Sequence, residues 1–280
     1  MSAPPAPADL PRENVFGHAK KARLILSSLA RLRRELGRGL EVLDVGCGNG
    51  TALTRFLGTP GDRVLGIDTH GPSIEYATRR FGAPGLEFRQ QPVESVVAEG
   101  RSFDAVLFAD ILEHLPEPGP VLEAGARLLR PRGRILVTIP NGYGPFEIES
   151  WLSRLAFLGR ASLWAVDHLV AVLNRFVFPG AWTEVVTPPD LPYNAECGHV
   201  QYFTQRRLLR MARTVGLTPV RTVGLSCLSG PYTNYLWAPS QLFCELNTRL
   251  AEVLPPSLLS AWFFEFTPSA DTPAGRGTPR

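Results

Sequence analysis

The stretch Val42-Leu43-Asp44-Val45-Gly46-Cys47-Gly48-Asn49-Gly50 constrains this chain more than any other. An apolar run ends in an acid and then in three glycines at alternate positions. Glycine lets a backbone turn tightly and lets a ligand lie against it. At the end of a parallel strand, ahead of a helix, such a turn stands where open α/β sheets bind their ligands. A second acid, Asp68, closes the next apolar run, Arg63-Val64-Leu65-Gly66-Ile67, where it can grip both hydroxyls of a ribose.

The dinucleotide fingerprint G-x-G-x-x-G is not met. Counted from Gly46 the sixth position is Thr51, and counted from Gly48 it is Leu53. Asp44 also argues against a pyrophosphate, because a carboxylate there repels phosphate and attracts a cation such as an ammonium or sulfonium. Cys47, inside the turn, reads as a small packing residue rather than a nucleophile.

Strand and helix patterns alternate around the turn. Residues 18–36 are helical in pattern, with Leu24, Leu29, Leu32 and Leu36 near one face and Gly37 and Gly39 as the stop. Strands are expected at 41–45, 63–67, 86–89, 103–109 and 134–139, with helices at 51–57, 73–81 and 120–129 between them. The run 103–109 is apolar apart from Asp104, as a central parallel strand should be. Five alternations predict a parallel sheet with helices on both faces. Later, Thr204 caps a helix over 205–215 that Gly216 stops. Strands are expected at 218–225 and 260–266, with a helix over 235–254 between them.

The rhythm breaks at an apolar insertion, about 146–195. Residues 146–178 are helical in pattern, but Arg154, Arg160, Asp167, His168 and Arg175 interrupt them. A membrane span needs about twenty mostly apolar residues. Three readings remain: a lid over the substrate pocket, a dimer surface, or peripheral membrane contact through 151–178. Residues 179–194 read as a proline-rich linker.

Size and composition fit one soluble domain carrying an insertion: 280 residues, 44% hydrophobic, 20% charged and a formal net charge of +3. Arginines cluster at 31–38 and 130–134. No aromatic residues interleave with them as a single-strand nucleic-acid platform requires, so they read as solvated faces. The four cysteines form no C-x-x-C pair and read as free thiols in a reducing compartment, the cytoplasm. Residues 1–17 read as a disordered, proline-rich leader without the apolar core of a signal peptide, and 268–280 as a loose tail. The domain proper is expected over 18–267.

The glycine stretch resembles the first motif of class I S-adenosylmethionine-dependent methyltransferases. His18-Ala-Lys-Lys-Ala-Arg-Leu resembles the N-terminal helix of ubiquinone-biosynthesis O-methyltransferases within that class. The resemblance runs over roughly 23–217 and leaves the insertion unmatched. It implies a Rossmann-like, doubly wound, mostly parallel seven-stranded sheet with an antiparallel C-terminal hairpin and a helical insertion.

It also implies S-adenosyl-L-methionine as cofactor. Gly46, Gly48 and Gly50 would approach its methionine part, and Asp44 would accept from its ammonium group. Asp68 would bind the ribose, Arg23 the carboxylate through paired donors, and Ala109 would lie beside the cofactor. The acid that usually holds the adenine amino group is replaced by Pro92, with Gln91 or Glu94 as substitutes. Adenine would then rest on the Val93 backbone amide and apolar walls.

The segment 103–116 resembles the fourth motif of the same enzymes. The N/D-P-P-Y motif of nucleobase and glutamine N-methyltransferases is absent. Asp110, Glu113 and His114 stand at i, i+3 and i+4, on one face of a helical turn. Two carboxylates and an imidazole can hold a divalent ion, and the resemblance implies Mg2+. The other reading is that Glu113 and His114 orient the loop.

Methyl transfer needs alignment and a base near neutral pKa. His114 is the first candidate and His199 the second, with Asp110 beside them. His199 opens an H-x-x-x-F-T pattern and would otherwise tie the insertion to the sheet by a hydrogen bond. Asn141, Gly142 and Tyr143 are expected to line the substrate pocket. The expected reaction is methylation of a hydroxyl on a lipophilic small molecule, with no nucleic-acid partner. Two rivals stand: methylation of a protein or lipid-linked glycan, and a non-catalytic cofactor-binding scaffold or partner subunit.

Overall fold

A computed structural model describes residues 10, 12–154, 164–166, 168–172, 175, 176, 192 and 198–269. Seven strands form one sheet in the order β3-β2-β1-β4-β5-β7-β6. β1 (Glu41–Val45), β2 (Arg63–Asp68), β3 (Leu86–Gln90), β4 (Phe103–Ala109) and β5 (Leu129–Pro140) are parallel. β6 (Leu217–Ser226) and β7 (Ala261–Pro268) close the sheet, with β7 antiparallel to both its neighbours. The helices are α1 (His18–Leu36), α2 (Gly71–Phe81), α3 (Val93–Ala98), α4 (Pro118–Arg127), α5 (Pro145–Arg154), α6 (Gln205–Thr214), α7 (Pro231–Trp237) and α8 (Gln241–Leu250).

The sheet is covered on both faces because alternate residues of a strand point opposite ways. In β4, Val106 and Phe108 join a cluster with Leu43, Val137 and Phe264, while Ala105 and Leu107 join Val42, Leu136 and Phe263. Phe108 is fully buried, and its loss to alanine would cost about 3–5 kcal/mol. α1 adds Ala22, Ile25, Leu29 and Leu32 to the second cluster, with Leu24 and Leu36 at its margin. Gly37, with φ 66°, ends α1 and donates its N–H to the Arg33 carbonyl. β1 has β2 on one side and β4 on the other, so the winding reverses there and a crevice opens above their C-terminal ends.

Several elements differ from the sequence reading. The helix expected over 51–57 is a 3-10 turn, Thr54–Phe56, because Gly58 and Pro60 leave no room to lengthen it. β5 starts at Leu129 rather than 134, running through Pro131 and a left-handed Arg132 with a register shift. The helix expected over 235–254 is two, α7 and α8. Pro239 lacks an N–H and disfavours helix at the residue before it, and the Ser240 hydroxyl accepts from Phe243 N to start α8. Residues 12–17, read as leader, belong to the fold: Val15 is buried, and Glu13 accepts from the backbone N–H groups of Ala19 and Lys20.

The arginine clusters are solvated faces only in part: Arg34 and Arg132 are exposed, but the others are tied to buried acids. Arg38 grips buried Asp104 through two hydrogen bonds and Arg130 adds a third; Arg33 grips buried Asp62, and Arg31 and Arg134 meet buried Glu265. Bidentate guanidinium pairs satisfy both carboxylate oxygens, which makes burial of the acids tolerable. Cys47, Cys227 and Cys244 are free thiols, and Cys197 lies outside the described residues. Of 146–178, residues 145–154 form α5 and the other described pieces are helical. The linker, except Pro192, and the tail past Ser269 also lie outside them. Among the described residues no helix is long and apolar enough to cross a membrane.

Candidate active site

The crevice is floored by the turn after β1. Gly46, Gly48 and Gly50 all have positive φ, between 54° and 73°. A Cβ on Gly46 would meet the Ile111 side chain at 2.6 Å, whereas one on Gly48 would face open space. Gly46 is therefore required by conformation and packing together, and Gly48 leaves backbone uncovered beside the crevice. Asp68 fixes this turn from β2: one carboxylate oxygen accepts from Gly48 N and the other from His70 N, each at 2.8 Å.

Asp44 lies beneath the turn, 2% exposed. One carboxylate oxygen accepts from Thr54 Oγ1 at 2.7 Å, and the other is buried without a partner. Burial pushes the carboxyl up to about 7; the Thr54 hydrogen bond opposes this and the charge of Asp68 adds to it. Burial raises the Cys47 thiol well above its ordinary value too, which leaves no thiolate nucleophile in the turn.

Val93 opens α3 with its side chain buried, directly after Pro92. Both residues named as substitutes for the adenine acid are turned elsewhere. Gln91 donates to Glu99, and Glu94 is exposed. Arg23 lies apart from the crevice. It is two residues from Lys21, about 200° around the helix, and pairs with Glu13 at 2.7 Å.

Lys21 is the helix residue that reaches the site, and its ammonium pairs with Asp110. Asp110 follows Ala109 at the tip of β4 in a left-handed conformation, φ 54°. Its second oxygen accepts from Thr138 Oγ1 of β5 at 2.7 Å. Burial works against its ionisation, but the Lys21 ammonium and the Thr138 hydroxyl hold the carboxyl down to about 2. An acid so held is a fixed anion, not a proton acceptor at neutral pH, so Asp110 falls out of the set of candidate bases.

A 3-10 turn, Leu112–His114, then carries the next two groups. The Glu113 side chain is buried, with one oxygen unpartnered. Burial, and then the charge of Asp110, raises its carboxyl well above the ordinary range. Its backbone carbonyl accepts from Val200 N and Gln201 N, which brings the segment after the insertion over the site. His114 Nδ1 lies 3.1 Å from the Gly198 carbonyl, and His199 Nδ1 lies 2.6 Å from a carboxylate oxygen of Glu147 on α5. A carbonyl or a carboxylate accepts, so both Nδ1 atoms carry a hydrogen, and His114 Nε2 stands 3.9 Å from a carboxylate oxygen of Glu113. The two rings meet edge to face at 5.1 Å.

These groups line one cavity of about 150 Å3, walled by Phe16, His18 and Phe146. The pocket residues expected just after β5 do not line it. Asn141 donates to the Leu259 carbonyl at 2.8 Å, and Tyr143 is exposed. The trio expected to hold a divalent ion is not assembled either, because Asp110 is committed to Lys21 and Thr138. The side chains that converge are Glu113, His114 and His199, with donor atoms within 4.8 Å of one another.

Lys21, Glu147, Phe16 and Phe146 were missed by sequence reasoning. Thr138, the polar residue in the apolar run Ile135-Leu136-Val137-Thr138-Ile139, was a signal for a polar partner at that strand end. Glu147 gave none, because its partner stands 52 positions away.

Residues 43–137 match the family described as methyltransferase domain. A ubiquinone biosynthesis O-methyltransferase of Paracidovorax citrulli is 37% identical over 108 residues, which are 37% of this chain and 45% of that protein. The chain thus matches about half the length of such relatives. The Rickettsia typhi protein PKMT2, solved in complex with AdoHcy, aligns with a TM-score of 0.55 at 16% identity, over 94% of this chain and 55% of that one. The cyclase SpnF aligns with a TM-score of 0.54 at 16% identity, over 92% and 88%. These two show the fold alone. The part of the sheet from β1 to β5 that residues 43–137 build is thus similar to a methyltransferase domain.

Proposed function

We propose that this chain transfers a methyl group from S-adenosyl-L-methionine to a hydroxyl of a lipophilic small molecule. The observation that carries the reading is Asp44, whose buried, unpartnered oxygen lies under a glycine turn with open backbone beside it. A buried acceptor without a donor costs about 1–3 kcal/mol, and an ammonium group from a ligand removes that cost. The Asp68 carboxylate, at the tip of β2, supports a ribose in the same crevice.

When bound, the cofactor supplies an activated methyl group on sulfur. The protein's own groups align the acceptor and take its proton. An acceptor hydroxyl held in the cavity would receive that methyl group and give its proton to an imidazole Nε2. His199 is the stronger candidate because the Glu147 carboxylate holds its tautomer and stabilises the imidazolium, as the acid of a catalytic triad does. His114, held by a carbonyl, is second. The Lys21 ammonium at the cavity wall stabilises developing charge on the acceptor oxygen.

Phe16 and Phe146 pack together in the cavity wall, Phe146 beside His199, which suits an acceptor with a hydroxyl on an apolar body. About 150 Å3 holds only its reacting end. Mg2+ does not fit the groups that converge here. It prefers oxygen donors, and two of the three are imidazoles.

Incubation with methyl-labelled cofactor and a panel of lipophilic phenols and alcohols tests the reading. Label transfer lost in His199→Ala but not in a surface variant is expected. Cofactor binding without transfer to any acceptor would overturn it in favour of a scaffold.

A further inference from the structure

α8 is inside out. A surface helix normally buries its apolar stripe and shows its polar face to water. Here Cys244, Asn247, Thr248 and, just past the helix, Ala251 are buried, while Leu242, Leu246, Leu250 and Val253 are 68%, 47%, 49% and 78% exposed. At 100° per residue the four exposed side chains fall within about 80° of one another, opposite the buried face.

The inversion has a local cause. Asn247 accepts from Cys227 N and Leu228 N and donates to the Val15 and Leu228 carbonyls, so it clasps the end of β6 to the N-terminal segment. That clasp needs the polar face inward, and it leaves a row of leucines with nothing among the described residues to cover it.

We infer that this face pairs with the same face of a second copy of the chain, as an antiparallel helix pair about a two-fold axis. The row is self-complementary. With the axis near Leu246, that residue meets its counterpart and Leu242 meets Leu250 of the second copy. An isologous contact demands this kind of match.

The charges agree. Glu245 and Arg249 lie on one flank of the row, and antiparallel helices bring like flanks together. Glu245 of each copy therefore approaches Arg249 of the other. Among the described residues Arg249 has no acidic partner of its own, and the Glu245 carboxylate accepts from the neutral Gln241 amide at 3.2 Å rather than from a cation. Trp237, stacked on Phe243 at 4.8 Å and 47% exposed, extends the apolar surface at the N-terminal end of the row. An anionic membrane is disfavoured as the occupant, because the helix and the turn after it set Glu245 and Glu252 against one arginine, the neighbouring Lys20 is already paired with Glu252 at 3.0 Å, and interfacial helices are rich in cations.

Sedimentation velocity of the full chain, from about 1 to about 100 micromolar, tests the pairing. The 30.7 kDa chain is expected to sediment as a dimer in the upper part of that range. Leu246→Asp should be monomeric throughout, with an unchanged circular dichroism spectrum. Glu245→Arg and Arg249→Glu should each weaken association about threefold or more, and the double exchange should restore it. A monomeric wild type, a dimeric Leu246→Asp variant, or a double exchange that fails to recover would overturn the pairing. So would a monomer that binds anionic phospholipid vesicles through Leu246.

Discussion

Glu147 on α5 accepts a hydrogen bond from His199 Nδ1 at 2.6 Å. Neither residue stands on the parallel core of the sheet. The first lies just past β5 and the second follows the insertion, so the imidazole is fixed only when both segments are in place. The cavity is thus completed by elements added to the sheet. The crevice over the glycine turn belongs to the sheet itself.

This pair yields the first prediction. Glu147→Ala should lower kcat about 10- to 100-fold with little change in cofactor affinity, because it removes the group that orients the base. Glu147→Gln keeps an acceptor for Nδ1 but not the charge, and should fall between the two. Nitrogen NMR of the imidazoles checks the cause. His199 should carry its hydrogen on Nδ1 in the wild type and in Glu147→Gln, and lose that preference in Glu147→Ala.

Asp44 yields a pH dependence. Its carboxyl, raised to about 7 by burial, keeps its proton in the cofactor-free fold from about pH 4 to about pH 7, where the unfolded chain has released it. The native state then binds more protons, so this group makes stability fall as pH rises through that window. A ligand ammonium favours the ionised form. S-adenosylhomocysteine affinity should therefore rise on the order of tenfold between about pH 5.5 and about pH 7.5 and then level off. In Asp44→Asn, urea melts of the free protein should lose this contribution to the slope.

The Lys21–Asp110 pair has the opposite sign. Asp110 is depressed to about 2, so its contribution is present above about pH 4 and fades as pH falls towards 2. A third of its side chain is exposed, which screens the pair. Lys21→Met should cost about 1–2 kcal/mol at neutral pH. The gap from wild type should close between about pH 4 and about pH 2 in denaturant melts.

Gly142 yields a packing prediction. A Cβ there would lie 2.5 Å from Tyr202 Cα and 2.6 Å from Phe203 N, both backbone atoms, so no side-chain rotation relieves the clash. Gly142 N also donates to the Phe203 carbonyl. Gly142→Ala should push the segment carrying His199 away from the sheet. It should lower the melting temperature by several degrees and kcat more than cofactor affinity.

The sequence was most legible where chemistry and period agree. The glycine turn, Asp44 and Asp68 were found because strand periodicity placed them at strand ends, where open sheets bind ligands. Seven strands and the closing hairpin followed from the same pattern and from the resemblance it carried. The catalytic side was legible only in part. His114 and His199 were both named, but their partners Gly198 and Glu147 depend on how the segments around the insertion fold back. Asp110 misled because spacing on one helical face says nothing about a lysine arriving from α1. Arg23 came from the resemblance alone, and the helix turns it towards Glu13 instead. Pro239 divided a helix whose apolar pattern ran straight through it.

Calorimetric titration with S-adenosylhomocysteine, beside an Asp68→Asn control, tests the central claim most directly. The account predicts micromolar binding to the wild type and a loss of about tenfold or more in a control that remains folded. A folded wild type that shows no binding, or a control that binds equally well, would contradict it.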